Sequence, residues 1–114
     1  MNTNFQHKEL GQGKWKKLSL IEQMANIGSE VERAINWKNK NDEEYSRMAF
    51  ERALELIDLT MADEKNRRRL LEISRVREFL ADYFVGENIY SFSDQFWKDY
   101  FLNFGFAVGL RSGL

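Results

Sequence analysis

Ser19–Ile35 reads SLIEQMANIGSEVERAI, and its spacing decides the fold class. Ser19 followed three residues later by Glu22 is the sequence form of a capping box, in which each side chain satisfies a free backbone N–H at a helix start. Behind it, Ile21, Met24, Ala25, Gly28, Val31 and Ile35 recur at steps of three and four, the period of one helical face, and Ile27 and Ala34 widen the stripe. Gly28 costs about 1 kcal/mol in a helix interior relative to alanine, so it is expected where another backbone packs closely. Lys38 and Lys40 suit the negative end of the helix dipole and mark the expected end.

Toward the C-terminus the same logic gives three more helices. Asn41 or Asp42 can cap the second, and Asp42, Glu43 and Glu44 fill its first turn as the dipole prefers. Its apolar positions fall in two rows, Tyr45, Met48, Ala49, Ala53, Leu56 and Thr60 beside Phe50, Leu54, Ile57 and Met61, which predicts a wide buried face. The spacing predicts a third helix over Glu64–Val85, with Leu70, Ile73, Val76, Leu80, Tyr83 and Phe84 inward and Gly86 as the left-handed residue that closes it. After a connector over Glu87–Phe92, Ser93 and Asp94 start the last helix, and the tail Arg111–Leu114 is expected to fray. Four helices of about 16–22 residues are about 25–33 Å long, and their short joins favour antiparallel neighbours. The expected fold is all-α, a four-helix up-and-down bundle over 18–114 preceded by a polar arm over 1–17, mobile or loosely docked, with Trp15 as its tether.

Composition supports helices and removes many functions. In 114 residues there is no proline, where average usage would give roughly six. The absence of cysteine excludes disulfides, thiolate zinc sites, iron–sulfur clusters and cysteine nucleophiles. A single histidine, His7, excludes a multi-histidine metal centre. Basic and acidic residues nearly balance, 17 against 18. No apolar run approaches the length of about 18 residues needed to span a bilayer, and residues 1–13 have no apolar leader core. A cytoplasmic, soluble protein without a membrane partner or a cofactor is expected.

Three constellations are candidates for function. The first is Lys65–Arg77, KNRRRLLEISRVR, with six positive charges and one negative. Arg67, Arg68, Arg69, Arg75 and Arg77 are the candidate anion-binding residues, since guanidinium forks suit phosphate oxygens. The alternative is a solvated face paired with Glu51, Glu55 or Asp58. Arg77 falls within the apolar stripe and calls for a carboxylate partner, with Glu30, Glu51, Asp58 and Asp82 as candidates.

The second constellation is acidic: Glu51, Glu55 and Asp58 on the second helix, Glu78 and Asp82 on the third. Carboxylates facing one another across two helices can hold magnesium. Glu55 and Asp58 have the E-x-x-D spacing of all-α nucleotide pyrophosphohydrolases, but Glu30 and Glu32 do not supply the paired-glutamate motif those enzymes carry. Catalytic and metal-binding residues are therefore not assigned, and a magnesium-dependent phosphohydrolase is the minor reading.

The third is aromatic. Eleven of the sixteen aromatic residues lie between Phe79 and Phe106, and the last helix carries rings on most of its circumference. A helix apolar nearly all round must be covered on more than one side, and large apolar patches mark interfaces. Phe92, Phe96, Trp97, Tyr100, Phe101 and Phe104 are the expected interface residues of a two-fold homodimer.

The blocks EQMANIGSEVERAI (Glu22–Ile35), ERALELIDLT (Glu51–Thr60) and RVREFLADYF (Arg75–Phe84) resemble those of a family of small all-helical prokaryotic proteins without assigned activity. The size and layout are more loosely similar to HEPN-type helical bundles. That resemblance implies a partner role beside a nucleotidyltransferase. It implies no ribonuclease activity, because no histidine follows Arg67–Arg69 or Arg75 at the spacing of the Arg-x(4–6)-His motif. The expected function is a non-enzymatic interaction protein that binds itself through the last helix, or another protein. The alternative is nucleic-acid or nucleotide binding through the arginine-rich third helix.

Overall fold

A computed structural model describes residues 13–111 of the chain. Four helices carry the fold: α1 (Leu20–Asn39), α2 (Glu43–Ala62), α3 (Leu70–Val85) and α4 (Asp94–Arg111). Two short 3-10 turns, Trp15–Lys17 and Glu64–Arg69, precede α1 and α3. No strand occurs among the described residues. No helix among them is long and apolar enough to cross a membrane.

The helix starts follow the local chemistry. The Ser19 Oγ accepts from Glu22 N, and the Glu22 carboxylate accepts from Ser19 N, completing the capping box of α1. Asp42 caps α2 by accepting from Tyr45 N, while Asn41 before it takes a left-handed φ of 63°. Ser93 Oγ accepts from Phe96 N at the start of α4.

Contacts along the chain set the topology. Ser46 Oγ donates to Ala34 O near the α1–α2 turn, Arg52 pairs with Glu30 halfway along, and Gln23 meets Asp63 at the far end, so α1 and α2 run antiparallel. Phe50 against Phe84 and Asp58 against Arg77 place α3 antiparallel to α2. Asp94 lies beside Asn39 and Lys38, and Phe101 beside Gly28, which returns α4 along α1. The result is an up-and-down four-helix bundle. Its core holds Ile27, Ala34, Ile35, Ala49, Ala53, Ile57 and Leu80, with Trp97 and Phe101 entering from α4. Backbones approach closely between α1 and α2 and between α1 and α4, and stay farther apart between α3 and α4, where large rings intervene.

Two local expectations are corrected. The third helix begins at Leu70, not Glu64. Asp63 accepts from Lys65 N, and the Asn66 side chain is drawn inward to Gln23 and Thr60, winding Glu64–Arg69 into a tighter turn. This also keeps three consecutive arginines out of the first α-helical turn, where the dipole opposes them. Gly86 closes α3 with φ −96°, not in the left-handed region. A Cβ there would lie 3.0 Å from the Asp82 Cα and carbonyl oxygen, so close backbone approach is what this glycine permits. Left-handed residues occur instead at Asn88 and Ser91, in a loop whose backbone N–H groups at Ile89 and Tyr90 are held by the Asp82 carboxylate.

Residues 1–12 of the expected arm, with Phe5 and His7, and residues 112–114 of the tail lie outside the described residues; Arg111 ends α4. The tether is visible: Trp15 is buried, and its indole Nε1 donates to Thr60 Oγ1 at 3.0 Å. Around it sits a polar cluster that helical periodicity does not reveal. Gln23 Nε2 donates to Trp15 O and Asp63 Oδ2, and Asn66 Nδ2 donates to Gln23 Oε1 and Thr60 O. Burial alone would raise the Asp63 pKa, but hydrogen bonds from Lys65 and Gln23 outweigh it and hold the carboxyl below its ordinary value.

Candidate functional site

α3 and α4 diverge around a groove of about 480 Å³. One wall is basic: Arg68 and Arg69 from the 3-10 turn and Arg75 from α3, with Glu72 among them. The rest of the lining is mainly aromatic: Phe79 from α3, Phe92 from the connector, and Phe96, Trp97 and Tyr100 from α4. Leu71 and Val76 complete the lining.

Arg68 and Arg75 are seven residues apart, which at about 100° per residue returns them to the same side of the chain's helical path, and Arg69 joins them on the groove. Arg69 lies 3.4 Å from Glu72, both well exposed. Arg68 and Arg75 have no carboxylate partner among the described residues, so the wall keeps a net positive charge.

The aromatic side is a file of touching rings. Phe79 meets Phe92 at 5.3 Å between centroids, Phe92 stacks on Phe96 at 4.4 Å, and Phe96 stacks on Tyr100 at 6.2 Å. Offset and tilted contacts of this kind are the favourable ones for aromatic quadrupoles. Two polar atoms on lining residues, the Trp97 indole Nε1 and the Tyr100 hydroxyl, are buried without a hydrogen-bond partner among the described residues. Burial, and secondarily the Glu72 charge, push the Tyr100 phenol up to about 12, so it stays a protonated donor at neutral pH.

The remaining candidate residues fall elsewhere. Arg67 is exposed and does not line the groove. Arg77 Nε donates to Asp58 Oδ1 at 2.7 Å, and its NH2 donates to Oδ2 at 3.3 Å, a two-pronged pair at the surface between α2 and α3. That hydrogen bond raises the guanidinium pKa above its ordinary value. Arg77 is therefore an ion-pair arginine with 38% of its side chain exposed, and lies outside the core stripe. Of the expected interface residues, Trp97 and Phe101 are only 1% and 6% exposed and belong to the core. Phe104 is half-buried against the bundle, and Phe92, Phe96 and Tyr100 face the groove. Two residues outside the expected interface set, Leu102 and Phe106, are the most exposed large apolar groups of α4 among the described residues, at 63% and 67%. Their spacing of four was the available signal.

The acidic residues do not converge. Asp58 is taken by Arg77, Glu78 accepts from the Tyr90 hydroxyl at 2.7 Å, and Asp82 caps the following loop. The Glu78 contact raises the Tyr90 phenol pKa. Glu30 pairs with Arg33 and Arg52. No group of three or more metal-ligating side chains is found among the described residues. No known protein family, curated protein or solved structure matches the chain.

Proposed function

We propose that the chain is a non-enzymatic interaction protein that self-associates through the outward side of α4. The observation that carries this reading is the pair Leu102 and Phe106, one turn apart and about two-thirds exposed, on a helix whose inner side is already filled by Trp97 and Phe101. Burying a leucine or phenylalanine side chain is worth about 1.5–3 kcal/mol. A two-fold contact would bury four of them, against an association cost of about 4–15 kcal/mol. The expected dimer is accordingly weak and concentration-dependent. Sedimentation equilibrium tests it: the native chain should shift from monomer to dimer as concentration rises. The double variant Leu102→Glu, Phe106→Glu should stay monomeric with unchanged helix content. A native chain that remains monomeric throughout the range refutes the reading.

A second reading is favoured by Arg68, Arg69 and Arg75 sharing one wall. It is phosphate contact with a nucleic acid or nucleotide, as the silent partner of a nucleotidyltransferase. Such binding would weaken steeply with salt.

A further inference from the structure

We propose that the α3–α4 groove is a binding site for a small molecule with a flat aromatic body and one acidic head. The inference deepens the second reading above, from phosphate contact in general to a defined ligand class. It is independent of self-association through Leu102 and Phe106, which do not line the groove.

Size comes first. A groove of about 480 Å³ falls within the range of about 300–1,000 Å³ typical of small-molecule sites. Next is its division into two chemistries. At the start of α3, Arg68 and Arg75 present guanidinium groups with no carboxylate partner among the described residues. Along α4 and the connector, Phe92, Phe96 and Tyr100 form a stacked file whose middle ring is 41% exposed. Uncompensated positive charge calls for an anion, and wet ring surface calls for a planar apolar group. One ligand carrying both would neutralise the first and cover the second. A forked guanidinium pair suits a carboxylate or a phosphate equally.

The unpartnered polar atoms are the third observation. Trp97 is 1% exposed, and its Nε1 has no acceptor among the described residues; the Tyr100 hydroxyl is likewise unpartnered. Buried polar groups are nearly always hydrogen-bonded, and here both belong to residues that line the same groove. Both atoms are themselves closed to solvent, so they mark unpaired polarity behind the aromatic file and make no direct ligand contact in this structure. Glu72, the only acidic lining residue, is opposed by Arg69 at 3.4 Å. It therefore does not cancel the charge of Arg68 and Arg75.

Two sources share this chemistry, an aryl carboxylate and a nucleoside monophosphate, and separate probes distinguish them. The full-length chain is titrated by calorimetry with indole-3-acetate and with adenosine 5′-monophosphate, followed in parallel by tryptophan fluorescence. At least one should bind saturably. Inorganic phosphate and neutral indole should each bind about tenfold more weakly or worse, because each supplies one half of the interaction, and a charge-assisted hydrogen bond is worth about 1.5–3 kcal/mol. Arg75→Ala and Phe96→Ala, both at exposed positions, should each weaken binding by about tenfold. Arg77→Ala, outside the groove, should leave it unchanged. Saturable binding of neither probe, or binding indifferent to Arg75→Ala, overturns the proposal. So does tight binding of a single-stranded oligonucleotide together with failure of both monomeric probes, which would make the occupant a nucleic-acid strand.

Discussion

Gly28 of α1 lies so close to Phe101 of α4 that a Cβ built on the glycine would stand 2.6 Å from the Phe101 Cβ. The clash would be with the root of a buried side chain, which cannot swing away without moving α4. In Gly28→Ala the gain in helix propensity, about 1 kcal/mol, competes with an overpacking cost of about 1–3 kcal/mol or more. The expected outcome is a net loss of stability with separation of α4, read as a lower urea midpoint and a rise in the exposure of Trp97 to a fluorescence quencher. A more stable Gly28→Ala protein would show that α4 yields freely.

Asn66 closes the buried cluster that fastens the Glu64–Arg69 turn to the helices. Removing its amide leaves Gln23 Oε1 without its donor and the Thr60 carbonyl with only the longer bond from Asp63 N. Asn66→Ala should therefore cost about 1–3 kcal/mol in chemical denaturation. It should also free Arg68 from its place on the groove wall, so groove ligands should weaken in the same variant.

Asp63 makes the fold acid-sensitive. Its folded-state pKa is held below the ordinary value of 3.8 by Lys65 and Gln23. The unfolded chain therefore takes up a proton at higher pH than the folded one does. The contribution is present above pH about 4 and is lost as pH falls through the depressed folded value. Asp63→Asn should flatten the acid side of the stability–pH curve, measured by thermal unfolding across the acidic range.

Tyr100 acts at the other extreme. Its folded pKa of about 12 lies above the ordinary phenol value of 10.0. The stability it lends is complete below pH about 10 and disappears as pH rises through about 12, since the unfolded phenol ionises first. Ultraviolet titration should show one tyrosine ionising late, and Tyr100→Phe should remove that step and reduce the alkaline slope of stability. Tyr90, also shifted upward through Glu78, remains in the variant as an internal comparison.

The sequence declared the helices through their ends. Ser19 with Glu22, Asp42, and Ser93 each sit where a free N–H must be met, and each meets it. Gln23 was hidden because a polar residue in an apolar stripe has no period of its own. Its burial depends on Trp15, Asp63 and Asn66, which lie far apart in sequence. The arginine wall was half legible, since Arg68 and Arg75, seven residues apart, share a helical face, but no local pattern places the rings of α4 and the connector beside them. In α4 the surplus of rings was plain, but a helix apolar on all sides does not announce which side faces in. Gly28 decides that by admitting Phe101, and so turns Leu102 and Phe106 outward.

The claim that α4 pairs with a second copy is tested most directly by disulfide trapping, since the native chain has no cysteine to interfere. Asn103→Cys places a single thiol beside Leu102 at an exposed position of α4, and Glu51→Cys places one on exposed α2, diagonally across the bundle. Under mild oxidation Asn103→Cys should yield a covalent dimer rapidly, and Glu51→Cys should not. Equal rates for the two variants, or no dimer from Asn103→Cys, would contradict the account.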